Sequence, residues 1–80
     1  MQKHIATILK NAREELRVEL TEYRGYDLVA ARIWVENSEG AKIPTHKGLT
    51  VNVRLLPDIL DALRRAEHEA RTAGLLDGGE

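Results

Sequence analysis

Apolar and polar residues alternate along this chain with a period that changes, and each change marks an element. From 16 to 36 the period is two: Leu16, Val18 and Leu20 alternate with Arg17, Glu19 and Thr21. Val29, Ala31, Ile33 and Val35 then alternate with Ala30, Arg32, Trp34 and Glu36. That is the spacing of two strands, each with one face buried and one face wet. Tyr23-Arg24-Gly25-Tyr26 joins them, and Gly25 can take the positive φ of a tight turn. If Arg24-Gly25 is a two-residue turn, Tyr23 faces Tyr26, and Leu20, Val18 and Leu16 meet Val29, Ala31 and Ile33. All three pairs are apolar and share a face, whereas a slip of one residue would mix the faces.

The polar segment 36–40 reads as a second turn. Leu49, Val51 and Val53 restore the period of two and predict a later strand within 42–53. Pro44 lacks a ladder donor, so its surroundings are an edge or a loop. Lys47-Gly48 reads as a flexible joint. Over 55–73 the period lengthens, and Leu56, Ile59, Leu60, Leu63, Ala66, Ala70 and Ala73 form a helical stripe. Pro57 falls in the first turn, Asp58 and Asp61 lie early, Arg71 lies late and Gly74 follows, as helix ends require. Asp61–Arg65 and Glu67–Arg71 form favourable i,i+4 pairs. Ala62, Ala66, Ala70 and Ala73 keep one flank small enough for close packing on the sheet or on a second copy. Residues 1–13 fit two patterns. Ile5, Ile8, Leu9 and Ala12 suit a helical face, while Ile5, Thr7 and Leu9 alternate like a strand ahead of a turn at Asn11. The chain divides into a single domain, 1–74, and a flexible tail, 75–80.

Composition narrows the function. The 80 residues carry 12 Lys/Arg against 13 Asp/Glu, a net charge of −1, which excludes a simple polybasic tail. There is no cysteine, hence no disulfide scaffold, thiol nucleophile or Cys-ligated zinc. No apolar run approaches the ~18 residues of a membrane span, and the interrupted stretch Ile5–Leu9 is too short for a signal peptide, so a cytoplasmic protein is expected. A chain this small is marginal alone and is expected to form a homodimer.

The face opposite the aliphatic one carries the candidate chemistry. The only aromatic residues, Tyr23, Tyr26 and Trp34, all fall on it, and the register sets Arg17 directly against Arg32. Rings stack on bases and arginines neutralise phosphates. The same pattern also reads as a solvated surface on which rings cover arginine stems. Lys42-Ile43-Pro44-Thr45-His46-Lys47-Gly48 offers further cations and a Gly-flanked amide, without the spacing of a P-loop; it also reads as a plain polar connection. Residues 55–80 hold three Arg against six Asp/Glu, which concentrates acid away from that face. His4, His46 and His68 show no metal-ligand spacing, Ser38 has no elbow motif around it, and Glu14-Glu15 reads as an exposed pair. No enzyme, cofactor or metal site is expected.

In order and spacing, the run Arg17–Gly25, the run Leu28–Trp34, Gly40, the run Pro44–Val51 and Leu55-Leu56-Pro57 resemble the single-stranded-DNA-binding transcriptional coactivator family called positive cofactor four, in its compact bacterial form. The resemblance covers about residues 5–73. It implies an α+β fold, a four-stranded curved antiparallel sheet followed by one C-terminal helix. It also implies a first strand at 5–10 and a homodimer held by helices and late strands. By the same resemblance Tyr23 is a base-stacking position, and Arg24, Arg32 and Lys47 face nucleic acid. Tyr26 stands where relatives often have lysine, Trp34 where the eukaryotic pattern has tyrosine, Ile43 for lysine and His46 for arginine.

The expected function is sequence-tolerant binding of single-stranded or melted DNA, or RNA, with the transcription machinery as a further partner and no membrane. The expected interface is Arg17, Tyr23, Arg24, Tyr26, Arg32, Trp34, Lys42, His46 and Lys47. The alternative is a dimeric protein-interaction module whose sheet grips a peptide or subunit.

Overall fold

A computed structural model describes residues 1–76. Four strands, β1 (Lys3–Leu9), β2 (Glu14–Tyr23), β3 (Tyr26–Glu36) and β4 (Lys42–Asn52), are followed by a 3-10 turn (Val53–Leu55) and helix α1 (Leu56–Thr72). The strands form one antiparallel sheet in the order β1-β2-β3-β4. This is the β-β-β-β-α architecture expected. The expected tail at 75–80 lies mostly outside the described residues.

The β2–β3 register matches the sequence reading pair for pair, with Leu16 on Ile33, Val18 on Ala31, Leu20 on Val29 and Tyr23 on Tyr26. Arg24 (φ 51°) and Gly25 (φ 83°) both take positive φ, as a type I′ hairpin turn demands. Of the two patterns at 1–13 the strand is realised, because pairing with β2 satisfies backbone groups that a short isolated helix would leave to water. Asn11 closes the following turn by accepting from the Arg13 and Glu14 amides at 3.0 and 2.9 Å. Asn37 does the same for Glu39 and Ala41 at 2.8 and 2.9 Å.

β4 includes Lys42–Gly48, so of the two readings of Pro44's surroundings, edge or loop, the edge is realised, where a missing donor costs no ladder bond. Its pairing with β3 is broken by a bulge, since Arg32 pairs with Gly48 and Trp34 with Pro44, leaving Thr45–Lys47 against Ile33 alone. The Thr45 hydroxyl ties the bulge down, donating to the Ile33 carbonyl at 2.8 Å and accepting from the Lys47 amide at 3.1 Å. Gly48 is a point of close approach, not a joint. A Cβ there would sit 2.2 Å from the Ala31 carbonyl oxygen, at a φ of 133°. Val53 falls outside the strand because the Asn52 side chain accepts from the Arg54 amide at 2.9 Å and starts the 3-10 turn.

Both expected i,i+4 pairs on α1 form, Asp61–Arg65 at 3.7 Å and Glu67–Arg71 at 2.9 Å. The helix ends in a Schellman motif, Gly74 N–H to the Arg71 carbonyl and Leu75 N–H to the Ala70 carbonyl. No residue of α1 is buried. It meets the rest of the chain mainly through the 3-10 turn, so it covers neither face of the sheet. On the aliphatic face Val29 is the one buried hydrophobic residue, while Ile8, Ile43 and Leu49 are exposed. No helix among the described residues is long and apolar enough to cross a membrane.

Gly48→Ala forces the new methyl into the β3 backbone and is expected to destabilise the fold by more than ~2 kcal/mol. Urea unfolding checks this, and an unchanged midpoint would contradict it.

Candidate nucleic-acid interface

Because side chains alternate across a strand, residues two apart share a face. On β2 the polar face carries Glu15, Arg17, Glu19, Thr21 and Tyr23; on β3 it carries Tyr26, Leu28, Ala30, Arg32 and Trp34. Gly48, Thr50 and Asn52 continue it onto β4. From Tyr26 to Trp34 the face runs about 26 Å at ~3.3 Å per residue, room for several nucleotides.

The nine expected residues divide into two groups. The outer group is exposed. Tyr23 and Tyr26 face each other at the β2–β3 tip with 61% and 62% of their surface in water. The Arg24 guanidinium lies 5.2 Å from the Tyr23 ring centroid. A ring pair with a cation beside it, on a rigid two-residue turn, offers π-faces to any base. His46 and Lys47 are exposed on the β4 bulge at the sheet's edge.

The inner group already has internal partners. Arg17 and Arg32 are directly opposite, an arrangement that like charge disfavours. It persists because each guanidinium is held elsewhere. Arg32 donates to the Thr45 carbonyl at 3.3 Å and the Thr50 hydroxyl at 2.7 Å, which locks it over the bulge. Arg17 lies 4.1 Å above the Trp34 ring centroid and donates through Nε to Glu15. Lys42 reaches back over β3, 3.6 Å from the other Glu15 oxygen and 3.4 Å from the Arg13 carbonyl. Trp34 is half-buried beneath Arg17, so on this side it supports a cation rather than presenting a bare face.

Glu15 is the centre that sequence reasoning missed. Glu14-Glu15 was expected to be exposed, yet Glu15 retains only 7% of its surface. Its strand partners are Leu9 and Trp34, and Arg17 and Lys42 lie over its carboxylate. The register held the signal, since the pairing that opposes Arg17 to Arg32 also opposes Glu15 to Trp34. Thr45 and Thr50 were also missed, because a bulge is invisible to periodicity. On β1, His4 lies 2.9 Å from the Thr7 hydroxyl and 3.5 Å from Glu19, extending the polar face.

Three carboxyls are held below the ordinary value of 4.5. Glu14 is lowered chiefly by the Asn11 amide at 2.8 Å, then by Lys10. Glu15 is lowered chiefly by its hydrogen bond from Arg17, then by the charges of Arg17 and Lys42. Glu22 is lowered by the N-terminal ammonium at 2.8 Å.

The sequence pattern of the family Transcriptional Coactivator p15 (PC4) matches residues 10–62. Two crystal forms of a PC4 homologue from Burkholderia pseudomallei K96243 are similar to this chain. The tetragonal form has 30% identity and a TM-score of 0.76, covering 84% of this chain and 98% of that one. The orthorhombic form has 31% identity and a TM-score of 0.77, covering 84% and 90%. A bacteriophage T5 homologue of PC4, implicated in recombination-dependent DNA replication, shares the fold at 18% identity, with a TM-score of 0.74 over 88% of this chain and 81% of that one. No curated protein matches the chain.

Native Glu14, Glu15 and Glu22 release protons more readily than the unfolded chain, whose carboxyls titrate near 4.5. The stability they contribute is therefore complete above that value and is lost as pH falls through their lower native values. The thermal midpoint is expected to drop as pH is lowered from 5 to 3, less steeply in Glu14→Gln. A midpoint that holds or rises over that range would contradict the assignment.

Proposed function

The chain belongs to the PC4 family, whose members are single-stranded-DNA-binding coactivators, and from that premise we propose that it is a homodimer that binds single-stranded or melted DNA with little sequence preference, acting in transcription or DNA maintenance inside the cell. The observation that carries the reading is the polar sheet face, with exposed Tyr23 and Tyr26 paired at one end and Arg17, Arg32 and Lys42 towards the other. Bases stack on the two tyrosines. Arg24, Lys47 and the outward donors of Arg17, Arg32 and Lys42 take phosphate oxygens, with His46 at the rim. Trp34 backs Arg17. Nothing in this arrangement calls for a cofactor or a chemical step.

The dimer follows from what one chain leaves open. Surface–mass scaling gives about 4,800 Å² for a compact monomer of this mass, and this chain exposes 6424 Å². The excess is about 1,600 Å² per chain, in the range of a stable interface when two copies share it. The radius of gyration is 15.0 Å, where a compact chain of this length has about 12 Å. The surfaces left open are the aliphatic sheet face and the stripe of Leu60 and Leu63 on α1, both exposed. An isologous pairing that buries these leaves both polar faces free.

The rival reading, a dimeric module gripping a peptide or subunit, draws support from the net charge of −1 and from the internal ion pairs of Arg17 and Lys42.

Titration of labelled oligo-dT is expected to show binding that weakens with salt, with a log–log slope of roughly −2 to −4. Tyr23→Ala is expected to weaken it by ~1–3 kcal/mol, the scale of one lost base stack. No binding at low salt would turn the assignment to the peptide-gripping module. Sedimentation equilibrium is expected to give about 18 kDa, twice the chain's 9.0 kDa, and a lower mass for Leu63→Glu. A wild-type mass near that of one chain would contradict the dimer.

A further inference from the structure

A buried acid at the Trp34 end of the proposed phosphate-binding face needs a role. Glu15 is the one buried charged residue among those described, at 7% exposure. Its two oxygens are engaged separately, Oε2 by Arg17 Nε and Oε1 by Lys42 Nζ at 3.6 Å. Two basic residues gripping the two oxygens of one anion is also how a protein holds a backbone phosphate. The carboxylate lies between its strand partners Leu9 and Trp34. Arg17, stacked on Trp34 and bonded through Nε, keeps its terminal nitrogens for other acceptors. Arg32, by contrast, is held by the neutral acceptors Thr45 and Thr50.

We propose that Glu15 is a resident counter-anion that sets the strength of strand binding: it cancels one of the two charges carried by Arg17 and Lys42, so that an arriving phosphate meets half the field. The inference rests on the nucleic-acid reading above. A face so neutralised holds fewer counterions when free and therefore releases fewer on binding. The bound strand is held less tightly and with less dependence on salt than the count of cations alone would give.

The test is oligo-dT titration over a range of salt with wild type, Glu15→Gln and Glu19→Gln. Gln keeps the size of Glu15 and an acceptor for Arg17 while removing the charge. Glu15→Gln is expected to bind about three- to tenfold more tightly, with a log–log salt slope steeper by about 0.7. Glu19→Gln removes the same charge from the same face without touching Arg17 or Lys42, and is expected to gain less than about twofold. Should Glu15→Gln not fold, Glu15→Asp draws the carboxylate back by one methylene and is expected to gain affinity to a smaller extent. Equal gains in the Glu15 and Glu19 variants, or weaker or unchanged binding when Glu15 is altered, would overturn the role of Glu15 and leave the binding function standing. Binding by none of the proteins would overturn both.

Discussion

The structure depends on one constraint: a single sheet has two faces, and period-two alternation sorts every residue of four strands onto one or the other. Nothing among the described residues covers either face. Of the aliphatic residues on one side, from Leu16 and Ile33 to Leu49 and Val51, only Val29 is buried. Helix α1, which could have been a lid, leaves through the 3-10 turn with no residue buried. A layer of this kind is stable when something else supplies its second layer. The proposed homodimer would supply it, covering an apolar face with an identical one and leaving the polar faces open.

The polar face is organised by electrostatics. Arg17 opposite Arg32 is unfavourable unless the two charges are drawn apart, and the chain does this with different partners. Glu15 on β2 and Trp34 on β3 hold Arg17 towards their end of the face, while Thr45 and Thr50 hold Arg32 over β4. The bulge at Thr45–Lys47 is part of the same device, since it turns the Thr45 carbonyl towards Arg32. Gly48, where no Cβ fits, lets β4 return to register beside it. Basic groups are thus fixed in position in the free chain, which in the proposed function lowers the ordering cost of binding.

Much of the fold was legible in the sequence because alternation and turn chemistry agreed. Leu16, Val18 and Leu20 allowed one register with Val29, Ala31 and Ile33, and Gly25 allowed the turn that fixes it. The helix was legible from its stripe and its end at Gly74. Residues 1–13 were not, because seven residues of edge strand carry too few periods to distinguish two from 3.6; family resemblance resolved them. The bulge was hidden because it breaks the very periodicity used to find strands, so the surroundings of Pro44 read equally as an edge or a loop. On the interface, the aromatic and arginine positions were legible as a face. Which cations already had partners was not, since that depends on Glu15 being roofed by Lys42 from two strands away.

In the proposed assembly the two faces have different occupants, a second copy on the aliphatic side and an unpaired strand on the polar side. Side-chain NMR of the intact protein titrated with oligo-dT tests this most directly. The account predicts large shifts at the Arg17 and Arg32 Nε–H groups, the Trp34 indole N–H and the Tyr23 and Tyr26 rings, with the methyls of Leu16, Val29, Leu49, Val51 and Leu63 unmoved. Shifts concentrated on those methyls, with the arginine and indole signals unmoved, would contradict it.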